Sequence, residues 1–413
     1  MYNNENWREY TLEEICLRKG QYGIAESSIP YQSDLPRYLR ITDITDDGFL
    51  KNDGKVSVSV NANQYEKYLL EKNDIVFART GASAGRSYVY EETVEPLIVA
   101  GFLIRYKLNP IIVDPRFMRY FTISSDYKNW VDSIATGSTR PNINQKMFSS
   151  MKILLPSMGE QKRIVEILDS LENKVKKNNT MITILEEQAQ AIFKSWFIDF
   201  EARKDEEFVD SELGRLPKGW QVNSLENIAT FKNGIAMQKF RPETKQDSLP
   251  VLKIKELRAN KTDSSSDRCA VDIPKEVLIE NGDIIFSWSG SLLVEVWTGG
   301  TAGLNQHLFK VSSNKYNKWF YYYWTKFFLN QFVAIARDRA TTMGHIKRSH
   351  LKEAKVLIPD DVTLGEMDKV MNPIVSKIIN LGVQNKKLEE LRDTLLPKLM
   401  SGEIRIEEAV ETE

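Results

Sequence analysis

The 413-residue chain carries a net charge of −1, with 42% hydrophobic and 27% charged residues and two cysteines, Cys16 and Cys269. No apolar run approaches the ~20 residues of a membrane span, and the polar start "MYNNENWREY" has no signal-peptide core. Two cysteines exclude a disulfide framework or paired zinc-ligand spacing and suit a reducing cytoplasm, and the length calls for two or three domains.

From the N-terminus, "WREYTLEEI" (7–15) opens a segment of short β-branched and aromatic runs bounded by Gly, Asn and Asp, such as "DIVFAR" and "LIVAGFLIRYKL". A helical stretch, "PRFMRYFTISSDYKNWVDSIA", follows late in the segment, and "STRPNINQKMFSSMKILLP" (138–156) closes it. From Ile164 apolar residues recur in alternating steps of four and three: Ile164, Leu168, Leu171, Val175, Asn178, Ile182, Leu185, Ala189, Ile192, Trp196. That seam predicts a coiled-coil helix.

The chain then begins again. "GWQVNSLENI" (219–228) places Trp220, Leu225, Glu226 and Ile228 at the spacings of Trp7, Leu12, Glu13 and Ile15. "VLKIKEL" (251–257) answers "YLRITDI" (38–44), and "LIENGDIIFSWSG" (278–290) answers "LLEKNDIVFARTG" (69–81), with Asp283 opposite Asp74. "TTMGHIKRSHLKEAKVLIP" (341–359) answers 138–156 at an offset of 203, which then holds without a gap to 388–390. The protein is therefore two copies of one α+β unit, each followed by a long helix.

The second seam runs from Met367 and Met371 to Leu395 and Leu399. It is weaker: Pro373 is expected to start or kink the helix, Pro397 to fray its end, and Leu391 to stand in for Arg392. Each seam carries one Asn, Asn178 at its fifth position and Asn385 at its sixth. In an antiparallel pair these amides face each other, so the pattern predicts antiparallel helices held in register by Asn178 and Asn385.

No catalytic chemistry is legible. Neither "NPI" (109–111) nor "DPR" (114–116) has the polar-Pro-Pro-aromatic order that holds a flipped adenine. "TGASAGRS" (80–87) lacks the spacing and Lys of a phosphate loop and reads as a turn, and His307, His345 and His350 lack metal-ligand spacing. The near-zero total charge argues against a nucleic-acid binder, but the interval 337–355 is locally basic. "WFYYYW" (319–324) reads as helix core rather than a base-stacking platform.

At this point the motifs are identifiable. "PSMGEQKRIVEILDSLENKV" with "AQAIFKSWFIDFE" resembles the central conserved region of the specificity (S) subunit of type I restriction–modification systems, and "LEELRDTLLPKLMSGEIRI" resembles its C-terminal conserved region. "SELGRLPKGW" looks like that family's entry into its second target-recognition domain, and the resemblance spans essentially the whole chain. It implies recognition domains over 1–156 and 220–359, conserved helices over 157–200 and 360–405, a linker at 201–219 and a tail at 406–413. It also implies a non-catalytic DNA-binding subunit acting in phage defence. Each domain would read one half of a bipartite, asymmetric site in double-stranded DNA, with the helices setting the spacer. The implied partners are two methylation subunits carrying S-adenosylmethionine and two restriction subunits using ATP and Mg, with no cofactor on this chain itself and no membrane.

Base and phosphate contacts favour Arg, Lys, Asn, Ser and Thr. In the first half the candidates are Arg79, Thr80, Ser83 and Arg86, then Ser138, Thr139, Arg140, Asn142 and Asn144. In the second they are Ser287, Trp288, Ser289 and Ser291, then Thr341, Thr342, His345, Lys347 and Arg348. Lys253, Lys255 and Arg258, with Arg37 and Arg40 in the first half, are lesser candidates. A complete enzyme and a protein-only coiled-coil adaptor are the competing readings.

Overall fold

The computed structural model describes residues 7–91, 95–135, 142–244, 247–338 and 344–406. The chain divides into two compact units, 1–171 with 391–413 and 172–390. Each holds one repeat together with part of both long helices.

In the first unit one four-stranded sheet runs in the order Cys16–Tyr22, Leu103–Leu108, Asp74–Ala78, Ser87–Val89. A second runs Ile29–Pro30, Val56–Ser57, Arg37–Leu39, Leu97–Val99, where Arg37–Leu39 and Leu97–Val99 pair in parallel. The strand Asp74–Ala78 explains why the sheets stack. Side chains alternate along a strand, so Ile75 and Phe77 join the helix-covered core while Val76 and Ala78 join the core shared with the second sheet.

The second unit repeats this plan. Its sheets run Thr230–Asn233, Leu308–Ser312, Ile284–Ser287, Leu293–Val296 and Arg268–Ala270, Ser248–Leu252, Ala302–Leu304, Leu278–Ile279. Ser248–Leu252 and Ala302–Leu304 again pair in parallel. Ile284 and Phe286 face one core and Ile285 the other. The matched aspartates do the same work twice. Asp74 accepts the Glu71 N–H at 2.8 Å and lies 3.7 Å from Arg105, while Asp283 accepts the Glu280 N–H at 2.9 Å and lies 2.8 Å from Lys310.

The stretch read as a linker carries a hairpin, Phe208–Ser211 with Gly214–Pro217, and its Leu216 and the following Trp220 enter the second unit's core. "PRFMRYFTISSDYKNWVDSIA" forms two helices, Pro115–Phe121 and Ser125–Ala135, instead of one. Residues 319–324 are buried in the helix Lys318–Asp338, as the core reading expects.

The long helices are Met158–Phe197 and Asp361–Met400, each 40 residues. The second corrects three expectations. It continues without a break through Pro373 and Pro397, so Pro373 does not start it and Pro397 does not end it, and Leu391 is exposed while Arg392 is half-buried at the seam. Both prolines face solvent, as do Lys369 and Asp393 one turn earlier, so the carbonyls that lose a partner can turn to water.

Each unit contains part of an antiparallel helix pair. In the first, Ile164, Val165 and Leu168 pack in one core with Leu396, Leu399 and Met400. In the second, Ala189, Phe193 and Phe197 share a core with Met367, Met371 and Val375. The two seam asparagines meet within the second unit: Asn178 Nδ2 donates to Asn385 Oδ1 at 2.8 Å. Asn178 also donates to Gln384 Oε1 at 2.8 Å, and Asn385 Nδ2 donates to Asn179 Oδ1 at 2.7 Å. Two buried amides are thus satisfied by each other and by two amides at the rim.

Each repeat is fixed to helix by polar anchors. In the first unit the Tyr120 hydroxyl and Arg116 donate to Asp169 at 2.7 and 3.0 Å. In the second, Tyr322 Oη and Lys326 Nζ donate to Glu186 at 3.1 and 2.8 Å, and Trp319 Nε1 donates to Asp368 at 2.6 Å. Burial pushes the Tyr322 hydroxyl far above its usual range, so it remains a donor.

Replacing Asn178 and Asn385 together by Leu leaves only the rim amides, which can turn to water, so the melting temperature is expected to rise while helix register loosens. Asn178→Leu alone strands a buried amide and is expected to cost about 1–3 kcal/mol. Thermal melts and spin-label distances across the pair check both; no change in either measurement refutes the register role.

Candidate nucleic-acid interface

The loop that follows the buried strand and the loop that precedes the long helix come together in both units. In the first unit Thr80 bridges Asn142 antiparallel, and the Ile143 N–H donates to Arg79 O at 2.8 Å. In the second, Ser289 bridges His345, and the Ile346 N–H donates to Trp288 O at 3.0 Å. The register is the same in both copies, so Arg79 and Trp288 occupy one structural position, and Asn142 and His345 another.

The side chains at those positions differ. Arg79 donates from Nε and Nη to Asn142 Oδ1 at 3.3 and 3.2 Å, and its guanidinium lies 4.9 Å from the Tyr22 ring centroid. Such a stacked guanidinium is pre-organised for base or phosphate contact. Asn144 caps the helix Gln145–Ser149 through the Met147 N–H at 3.0 Å. In the second unit Trp288 is flanked by His307 at 6.1 Å and, edge-on, by His345 at 6.3 Å. Ser289 Oγ and His307 Nδ1 lie 3.1 Å apart. The exposed groups at the second tip are His345, Lys347, Arg348 and Ser291.

Other candidates sit inside the loops rather than at their tips. Arg86 donates to Asp46 at 2.6 Å and to Ile44 O and Ser83 Oγ at 3.3 Å, and Ser83 is buried beneath it. Ser287 is a correction: it is fully buried, with Oγ donating to Ser289 O at 3.1 Å, and has no face for a ligand. Ser289 is buried as well, which leaves its part to holding His307. Arg37 is likewise buried, donating to Glu95 at 3.1 Å and Lys51 O at 2.6 Å, and Arg40 is tied to Asp43.

Lys253 pairs with Asp267 and Lys255 donates to Ser265 at 2.9 Å, on the short helix Ile254–Ala259. Arg348 donates to Phe231 O at 3.1 Å, while Arg258 is exposed on that short helix. Ser138, Thr139, Arg140, Thr341 and Thr342 lie outside the described residues.

Tyr22 and His307 were not singled out by sequence. Tyr22 precedes Gly23, which the repeat pairs with Gly234, and His307 lies on a turn that the repeat pairs with 100–103. Following the repeat through those turns would have found both. Among the described residues no helix is long and apolar enough to cross a membrane, and no cluster of His, Cys, Asp or Glu is arranged to hold a metal.

Comparison with known proteins agrees with the duplication. A family model described as the type I restriction modification DNA specificity domain matches residues 4–187 and again 217–392. The type I restriction enzyme MjaIX specificity subunit of Methanocaldococcus jannaschii is 32% identical over 71% of this chain and 69% of its own. The HindI specificity subunit of Haemophilus influenzae is 20% identical over 97% of this chain and 100% of its own. The crystal structure of the S subunit of a type I system from M. genitalium shares the fold, with a TM-score of 0.58 at 17% identity over 97% of both chains.

Lys347→Ala removes an exposed tip charge and is expected to weaken duplex binding for every sequence and to lower the salt dependence by about one counterion. Ser287→Ala is expected to leave affinity and salt slope unchanged while costing about 1 kcal/mol of stability. Titrations at several salt concentrations, with parallel denaturation curves, check both.

Proposed function

The chain belongs to the type I restriction–modification DNA specificity family, and on that footing we propose that each domain reads one half of a bipartite, asymmetric duplex sequence. The observation that carries this reading is the recurrence, in one register, of a polar loop pair with different side chains in each copy. Arg79, Tyr22 and Asn142 stand where Trp288, Asn233 and His345 stand in the second copy. Equal frames with unequal tips suit two unequal half-sites.

The long helices set the unspecified spacer in this reading. Forty residues span about 60 Å at 1.5 Å per residue. Half-sites read from one face of B-DNA are roughly 34–36 Å apart, so such a rod is long enough to hold two readers at that spacing. The helix surface opposite the seam docks two methylation subunits. Met181 and Ile184, 46% and 51% exposed on one helix, supply apolar area of the kind a partner covers. The chain itself is non-catalytic and binds no cofactor. S-adenosylmethionine belongs to the methylation subunits, and ATP and Mg to the two restriction subunits of the full complex.

Methyl transfer to DNA is expected only when the chain is combined with its methylation subunit; transfer by the chain alone points to a complete enzyme, and failure of the assembled complex to bind any duplex points to a protein-only adaptor. Shortening both helices by one heptad at facing positions is expected to change the spacer while keeping the bases of each half. Methylome sequencing of the variant strain reads this directly, and an unchanged spacer refutes the ruler.

A further inference from the structure

Each copy contains a third tip beside the two loops already described. In the first unit the strands Leu97–Val99 and Leu103–Leu108 are joined by a tight turn, closed by the Leu103 N–H donating to Ala100 O at 2.9 Å. In the second, Ala302–Leu304 and Leu308–Ser312 are joined in the same way, with the Leu308 N–H donating to Asn305 O at 3.1 Å. The third residue of the turn is Phe102 in one copy and His307 in the other.

The turn is rigidly supported. Ala100 and Asn305 donate their N–H groups to Leu39 O and Leu252 O at 3.0 and 3.1 Å. Beneath each turn lies a glycine on which no side chain fits. A Cβ on Gly23 would stand 2.3 Å from Ala100 O, and one on Gly234 would stand 2.2 Å from Asn305 O. The turn also abuts the interface: the Arg79 N–H donates to Phe102 O at 3.0 Å, and His307 Nδ1 lies 3.1 Å from Ser289 Oγ.

What the turns present is chemically unequal. Phe102 is 61% exposed although it is a large aromatic on a rigid tip beside a stacked arginine. Folding gains nothing from that placement, since burial is what stabilises such a ring. Its counterpart offers donors and acceptors, an exposed Gln306 amide next to the His307 imidazole, with the His307 N–H directed to Asn305 Oδ1 at 3.4 Å.

We propose that these turns are base-reading tips of the two domains, with Phe102 as a specificity-determining contact to one half-site and the Gln306–His307 pair as its counterpart for the other. Phe102 has no hydrogen-bonding group, so it recognises a thymine through its methyl. Gln306 has the amide geometry that matches adenine. The proposal rests on the bipartite reading above and adds the residues that read.

The test uses the full chain assembled with its methylation subunit, and a duplex pool with a randomised central segment from which bound molecules are sequenced. The wild-type complex is expected to select a two-part consensus. Phe102→Ala is expected to lower preference on the order of tenfold at one or two A·T pairs of one half, leaving the other half and the salt slope unchanged. Phe102→Leu is expected to retain part of that preference. Gln306→Ala and His307→Ala are expected to relax only the opposite half. If the wild type selects a two-part consensus and Phe102→Ala selects the same one, the tips do not read bases and the proposal falls while the bipartite reading stands. It also falls if Phe102→Ala weakens assembly with the methylation subunit and leaves sequence preference intact. If the wild type selects no two-part consensus, both readings fall.

Discussion

Two buried amides in a mostly apolar seam fix the register of the long helices. Asn178 and Asn385 satisfy each other only in one alignment of antiparallel helices. A slip by one heptad would set Asn385 against Leu171 or Leu185 and Asn178 against Ile378 or Arg392, and a buried amide left without a partner costs about 1–3 kcal/mol. The neighbouring Asn179 and Gln384 each accept a further amide proton at the solvent edge, so the correct register offsets much of the cost of burying the two amides. The amides contribute little net stability and exclude the alternatives instead. If the helices set a spacer as proposed, exclusion of slipped registers is the property that role requires.

Each globular domain is attached to the long helices by buried contacts. In the first unit the helix Pro115–Phe121 is held by Tyr120 and Arg116 on Asp169. Gln161, buried on the long helix, accepts the Asp114 N–H and donates to Ile112 O. In the second the attachment is mainly aromatic. Phe193 meets Trp324 edge-on at 4.9 Å, Phe197 packs at 5.5 Å from Trp220, and Glu186 takes both Tyr322 and Lys326. One anchor is largely polar and the other largely apolar, yet both fix a recognition domain to a helix by a buried, directional contact. The Trp that opens each repeat, Trp7 or Trp220, belongs to this layer.

The duplication, the paired helices and the meeting of the asparagines were legible in the sequence because they depend on periodicity, which a single chain displays in full. Strand order was not legible, because pairing between distant strands leaves no local trace. The prolines misled for a specific reason. A proline inside a helix loses its N–H bond and crowds the preceding turn wherever it sits, but on the solvent side water can take the freed carbonyl, and sequence alone does not tell that Pro373 and Pro397 face solvent. Ser287 misled in the opposite direction. It lies in a loop-like "SWSGS" and is polar, but it is the last residue of a fully buried strand, and its hydroxyl serves the backbone of Ser289. The hairpin Phe208–Pro217 resembled a linker because Gly, Pro and charged residues interrupt it, while buried Leu216 and Pro217 and the Phe208 ring against Phe200 tie it to the core.

Comparing the two copies position by position separates what the frame requires from what the loop tips vary. Gly23 and Gly234 are equal because a carbonyl occupies the space of a Cβ. Asp74 and Asp283 are equal because each closes the same turn, and Arg105 and Lys310 both supply the cation beside it. Ile143 and Ile346 are equal because each donates its N–H to the reading loop from a buried position. The differences gather at adjoining places: Arg79 against Trp288, Asn142 against His345, Phe102 against His307. The bonds from Ile143 and Ile346 to residues 79 and 288, and those that close and support the turns at Ala100 and Asn305, recur in both copies, whereas the Arg79 N–H to Phe102 O bond belongs to the first. A frame that tolerates arginine, tryptophan, asparagine, histidine and phenylalanine at its tips, while keeping the loop-to-loop and turn-closing bonds, allows the tips to change with little demand on the fold. The register of the helices and the chemistry of the tips are thus separable properties, one carried by the seam and the other by a few side chains on each domain.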